Sequence, residues 1–99
     1  MVILIRKGPL KSMWFVYILL CKDNSFYIGS SNNVERRFKD HLNGRGGRYT
    51  RSHKVEKLVY KEELANKSGA LKREAQLKKW SKAKKEARIR GDFKLLNVS

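Results

Sequence analysis

Sulfur chemistry is nearly absent from this chain: 99 residues contain one cysteine, Cys21. A disulfide scaffold within the chain and a cysteine-rich zinc site are therefore excluded. Beside a turn, Cys21 reads as an inert thiol rather than a nucleophile. Proline occurs once, as Pro9. No stretch approaches the ~18 apolar residues a membrane helix needs. The opening Met1-Val2-Ile3-Leu4-Ile5 run is too short for a signal core and ends at Arg6-Lys7-Gly8-Pro9. These absences lead us to expect a cytoplasmic protein. Acid is scarce as well: 9 Asp+Glu stand against 24 Lys+Arg, a formal net charge of +15. Such a balance is foreign to a small neutral enzyme. It favours a polyanionic partner, most often nucleic acid and less often a membrane surface, and implies association with the nucleoid.

The length allows one domain with a modest core. Residues 1–12 read as an N-terminal extension that could be a mobile arm, with Met13 an alternative start. Residues 13–91 form the domain, and 92–99 a tail. Trp14-Phe15-Val16-Tyr17-Ile18-Leu19-Leu20 is dense in aromatic and β-branched residues and predicts a strand buried on both faces. After the turn cluster Lys22-Asp23-Asn24-Ser25, Phe26-Tyr27-Ile28-Gly29 predicts a second strand and hence a hairpin. Asn32 with Glu35 resembles a capping box, and Val34, Phe38 and Leu42 give the following helix an apolar stripe. Gly44, Gly46 and Gly47 end that helix and open a flexible loop to about Lys54. A third strand is expected from Val55 to Lys61. A second helix should start at Asn66 or Ser68 and run to about Ala83, with Ala70, Leu71, Leu77 and Trp80 on its apolar face. A short basic helix could follow to Gly91. The order implies a small α+β domain with a three-stranded, mainly antiparallel sheet flanked by helices.

Five side chains stand out. Tyr17 and Tyr27 fall on paired strands and can face the same side; half-buried core aromatics would look the same. Arg37 flanks the apolar stripe of the first helix, and His41 follows four residues later on the same side. In isolation each could be a solvated surface residue. Glu74 falls between Leu71 and Leu77 on the face that should be buried. A carboxylate there must be ion-paired, hydrogen-bonded or bound to a metal.

Together, Phe15-Val16-Tyr17, Tyr27-Ile28-Gly29-Ser30-Ser31, Val34-Glu35-Arg36-Arg37-Phe38, His41 and Glu74 resemble the GIY-YIG nuclease domain. The resemblance runs from about Met13 to Arg90 and is greatest to small stand-alone bacterial members. It implies a metal-dependent endonuclease acting on DNA, with DNA favoured over RNA, and by analogy alone a place in repair or recombination. It implies that Tyr27 is general base for the attacking water and that Tyr17 positions water or phosphate. Arg37 would stabilise charge on the scissile phosphate, and His41 would line the site. Glu74 would hold the metal, Mg2+ or Mn2+, and Gly29 would keep the site uncrowded. The chemistry is coherent. Cleavage needs a nucleophile and cover for developing negative charge, one carboxylate suffices if phosphate and water complete an octahedron, and Arg offers a planar donor fork. Two positions depart from the family. Phe15 replaces the first motif's glycine, and an asparagine common some twelve to fifteen residues after the glutamate is missing, with Lys84 or Lys85 available to take its place.

Arg45, Arg48 and Arg51 punctuate the glycine-rich loop together with Tyr49, which could stack on a base. Lys72, Arg73, Lys78, Lys79, Lys82, Lys84 and Lys85 load the second helix and its continuation. With Gly29 and Ser30, Arg45, Arg48, Tyr49, Arg51, Lys78, Lys79, Lys82, Lys84 and Lys85 are the expected nucleic-acid contacts. Phosphate contacts give affinity without sequence readout, so cleavage should be weakly sequence-selective or selective for structure. A protein partner could also supply specificity. A catalytically weak or inactive nucleic-acid-binding module is the alternative, and a ribosome-associated protein a third reading. Membrane binding is disfavoured for want of a helix with a large exposed apolar face. A monomer or weak dimer is expected.

Overall fold

The computed structural model describes residues 13–91; the expected arm at 1–12 and tail at 92–99 lie outside the described residues. Seven elements follow in order: β1 (Trp14–Cys21), β2 (Phe26–Ser31), α1 (Val34–Leu42), α2 (Arg48–Ser52), β3 (Val55–Leu64), α3 (Lys67–Lys78) and α4 (Lys82–Arg90). The sheet has the order β2-β1-β3 and is antiparallel throughout. The apolar run of β1 is central because it is the strand that can be buried on both faces. β2 is an edge strand.

Alternation along β1 divides the core in two. Tyr17, Leu19 and Cys21 pack with Val34, Val55, Tyr27 and Phe38 on the α1 side. Val16 and Ile18 pack with Ile28, Ala70, Leu77 and Trp80 on the other. The hairpin turn places Asn24 at φ 71, where asparagine is tolerated.

Several boundaries and faces differ from expectation. β3 runs on to Leu64. The N-cap of α1 is Asn33, whose side chain accepts from the Arg36 amide; Asn32 lies one residue too early. Leu42 is 48% exposed while His41 is 1% exposed. At about 100° per residue, His41 lies about 20° from Val34 around the helix and Leu42 about 80°. The same geometry exposes Leu71 (47%) one residue after buried Ala70. The expected loop from Gly44 to Lys54 contains α2. The second helix stops short of the expected Ala83: Lys79 ends α3, and the Ser81 side chain accepts from the Lys84 amide to start the short basic helix α4. Gly91 closes α4 at φ 81, a left-handed cap suited to glycine.

Candidate active site

Pairing of Tyr17 with Gly29 and of Leu19 with Tyr27 makes Tyr17 and Tyr27 diagonal neighbours on one face of the hairpin. Their ring centroids are 6.4 Å apart. Gly29 sits opposite Tyr17 because nothing larger fits: a Cβ there would lie 2.5 Å from the Tyr17 hydroxyl oxygen. α1 brings His41 over both rings, with its centroid 4.8 Å from that of Tyr27 and 5.9 Å from that of Tyr17. His41 Nε2 is 3.0 Å from Tyr17 Oη, and His41 Nδ1 is 2.8 Å from Thr50 Oγ1 on α2. Gly46 packs so closely on the imidazole that a Cβ would collide with the ring.

Burial sets the protonation of this pair. It pushes Tyr17 up to about 12, helped by Tyr27 and opposed by the Arg37 guanidinium. It pulls His41 down to about 4; the positive charge of Arg37 adds to this and Asp40 opposes it. At neutral pH, therefore, Tyr17 keeps its proton and His41 is uncharged. Tyr27 is the half-exposed member of the three rings, within reach of water. Arg37 donates through Nη1 to Asp40 Oδ2 and through Nη2 to the Gly46 carbonyl, both at 3.2 Å, which anchors it between α1 and the glycine loop.

Glu74 arrives from the other side of the sheet. Ser30, adjacent to Gly29 on the edge strand, points to the opposite face, and its hydroxyl donates to Glu74 Oε1 at 2.7 Å. Lys78 Nζ lies 2.9 Å from Glu74 Oε2. The carboxylate thus approaches round the open edge of β2 and is paired on both oxygens, as a largely buried carboxylate must be. Its charge still reaches Tyr17.

No group of three His, Cys, Asp or Glu converges among the described residues. A metal here would take one protein carboxylate and draw its other ligands from water and phosphate. That donor set is all oxygen and suits Mg2+ or Mn2+, which keep several waters; the residues present fit such an ion.

The expected nucleic-acid contacts divide. Arg45, Arg48 and Arg51 are exposed on the loop and α2. Tyr49 is 38% exposed, stacks on His53 at 4.0 Å and lies 6.0 Å from Tyr27. Lys78 and Lys85 line a hollow of about 250 Å³ with Phe26, Tyr27, Ile28 and Tyr49. Burial lowers the Lys85 ammonium below its usual value. Lys84 instead lies 4.5 Å over the Trp80 ring, so of the two lysines offered for the missing asparagine, Lys85 is the one beside Tyr27. Lys82 donates to the Asn24 carbonyl at 2.6 Å and pins α4 to the hairpin turn, and Lys79 is exposed. Sequence reasoning missed Thr50, which a hydropathy pattern cannot distinguish from a loop threonine. It also missed Lys22 and Lys54, which join Arg51 around a cleft of about 540 Å³ with His41 and Thr50 in its lining. The backbone bond from Lys22 N–H to the Lys54 carbonyl, 2.7 Å, holds those two segments together. Nothing in the local pattern of either segment signals that pairing.

Residues 13–87 match the family model of the GIY-YIG catalytic domain. A UPF0213 protein of Syntrophus aciditrophicus is 47% identical over 72 residues, covering 72% of this chain and 83% of the relative. A UPF0213 protein of Clostridium perfringens is 49% identical over 73 residues, covering 74% and 78% respectively. The solution NMR structure of a UPF0213 protein from Bacillus halodurans matches with a TM-score of 0.50 and 39% identity, covering 78% of this chain and 82% of that one.

Proposed function

The chain belongs to the GIY-YIG nuclease family and is similar to its small stand-alone UPF0213 members, and from that premise we propose that it is a metal-dependent endonuclease hydrolysing phosphodiester bonds in DNA. The observation that carries this reading is the convergence at one strand edge of an aromatic triad, a fixed arginine and a largely buried carboxylate.

Each group has a task. Tyr27, the ring of the triad that water can reach, acts as the phenolate after giving its own proton to solvent: its oxygen takes the proton of the attacking water as the water oxygen bonds to phosphorus, and the leaving sugar oxygen, as its bond breaks, takes a proton from solvent water. Arg37 is already anchored by Asp40 and Gly46, so its guanidinium covers the growing charge on the phosphate without reorganising. Tyr17 and His41 form the wall against which phosphate and water are placed. Glu74 would hold Mg2+ or Mn2+, which when bound supplies positive charge to the phosphate and the leaving oxygen. The exposed Arg45, Arg48 and Arg51, with Lys78 and Lys85, attract the backbone without reading bases. Selectivity is therefore for nucleic-acid structure, or weak for sequence, and a place in DNA repair or recombination is in keeping with this.

The Lys78 ion pair on Glu74 favours a second reading. If that lysine is never displaced, the fold is a nucleic-acid-binding module with little catalysis. Cleavage of labelled single-stranded, duplex and flapped DNA in Mg2+, Mn2+ and EDTA distinguishes the two. Metal-dependent cleavage with turnover lost in Tyr27→Phe is expected. Salt-sensitive binding without cleavage selects the module, and full activity in Tyr27→Phe removes the base assignment.

A further inference from the structure

Two ion pairs involving α3 shelter a carboxylate, and they are built differently. Glu62 Oε1 accepts from Arg73 Nε at 2.9 Å, with side chains 23% and 20% exposed. Arg73 is held further by Gln76 and by the Trp80 ring, whose centroid lies 5.2 Å from the guanidinium. Both partners are fixed, and the pair is a structural clamp. The Glu74 side chain is 19% exposed, and its Oε1 accepts from Ser30 on β2 at 2.7 Å. Its Oε2 meets Lys78 Nζ at 2.9 Å, yet the Lys78 side chain is 56% exposed. Among the described residues that ammonium has no other hydrogen-bond or ion-pair partner. Here the carboxylate is fixed and the cation is loose.

The two oxygens of Glu74 therefore have different neighbours. Ser30 orients the carboxylate through Oε1 and brings no charge of its own. A bond of that kind steers a ligating carboxylate without opposing a metal. Lys78 does oppose it, because an ammonium and a divalent cation on one oxygen repel each other. The lysine pair also opens easily. A half-exposed pair gains little against the entropy of its long side chain, and the four-carbon stem is flexible. A place for the freed ammonium exists already: Lys78 lines the hollow of about 250 Å³ with Tyr27, Tyr49 and Lys85.

We propose that Lys78 is a positioning residue that acts through Glu74 as a resident stand-in for the metal: its ammonium holds Oε2 while no metal is bound and cedes that oxygen to Mg2+ or Mn2+. The proposal rests on Glu74 as the metal ligand of the proposed nuclease, and it makes Lys78 the residue that sets how much metal the site needs. It also gives the resting pair a purpose. A bare carboxylate at a phosphate-binding edge repels the nucleic-acid backbone, and Lys78 cancels that charge until a metal does. Once displaced, the ammonium stays tethered to α3 and turns to the hollow beside Tyr27, where a phosphate suits it. One cation thus serves Glu74 without metal and the nucleic acid with it.

The test uses the full 15N-labelled chain without DNA and reads metal binding rather than cleavage. Mn2+ should broaden the amides of Ser30 and Glu74 in a saturable way. In Lys78→Met the midpoint of that titration should fall about threefold or more, because a competing cation is gone. Lys79→Met makes the same change of net charge one residue on, at an ammonium with no carboxylate partner among the described residues; its midpoint should stay near wild type. Lys78→Arg keeps a cation for Oε2 and should bind Mn2+ no more tightly than wild type. With 13C-labelled lysine, the side-chain signal of Lys78 should move in Mg2+ with the same midpoint as the Glu74 amide, and Glu74→Gln should abolish both. Localised broadening with equal midpoints in wild type and Lys78→Met, or the same tightening in Lys79→Met, overturns the proposal. No localised broadening in either protein takes the metal off Glu74 and removes the assignment on which the proposal rests. Tightening in Lys78→Met with no cleavage of DNA upholds the proposal and counts against the nuclease reading alone.

Discussion

Acid should loosen this fold through His41 before it protonates most carboxylates. The imidazole is 1% exposed and held down at about 4 by burial, with the Arg37 charge adding to it. The unfolded chain protonates the same side chain at about 6.5. Between those values the unfolded state binds more protons than the native one, so stability falls as pH falls. The His41 contribution is fully present above about 6.5 and is lost progressively towards about 4. From about pH 7.5 to about pH 4.5 the loss works out at about 2–3 kcal/mol, using 1.36 kcal/mol per pKa unit. For a domain of this size that is a large share of the total. Urea unfolding of the wild type and of His41→Gln at both pH values isolates the histidine. The wild type should lose about 2–3 kcal/mol more than the variant across this range. Equal losses would mean that the native state protonates His41 freely, and the neutral-imidazole description of the site would fail.

Three further outcomes follow from the geometry. Gly29→Ala places a Cβ 2.5 Å from Tyr17 Oη and 2.7 Å from its Cζ, so urea midpoints should show about 1–3 kcal/mol of overpacking cost, with cleavage lost beyond it. Arg37→Ala removes a charge fixed by two bonds before substrate arrives; kcat should drop about a hundredfold or more while DNA affinity changes little. DNA binding should weaken steeply with salt, and replacing Arg48 and Arg51 by alanine should flatten the slope of log K against log salt by about one for each phosphate that is no longer neutralised.

Strand content and strand pairing were legible because β1 is uniformly apolar and β-branched or aromatic, and a turn cluster separates it from β2. The site was legible as a set of residue types at set positions: Tyr17, Tyr27, His41 and Arg37 do meet, and Glu74 is largely buried as its helix position required. Two kinds of fact were not legible. Hydropathy favoured Leu42 and Leu71 as core, yet helix geometry turns both outward, with His41 in the buried place on α1 and Ala70 on α3. Polar partners distant in sequence carry no periodic signal, so Thr50 against His41 and Ser30 against Glu74 emerge only from the fold. Ser81 caps α4, but the lysine-rich run around it reads as helix to about Ala83.

The nuclease account turns on Glu74, since it is the carboxylate we propose to hold the metal. The decisive measurement is cleavage of labelled single-stranded, duplex and flapped DNA by the wild type and by Glu74→Ala, in Mg2+, in Mn2+ and in EDTA. Metal-dependent cleavage by the wild type alone, with both proteins still binding DNA, is the expected result. Equal cleavage by both proteins, or cleavage that persists in EDTA, would contradict it.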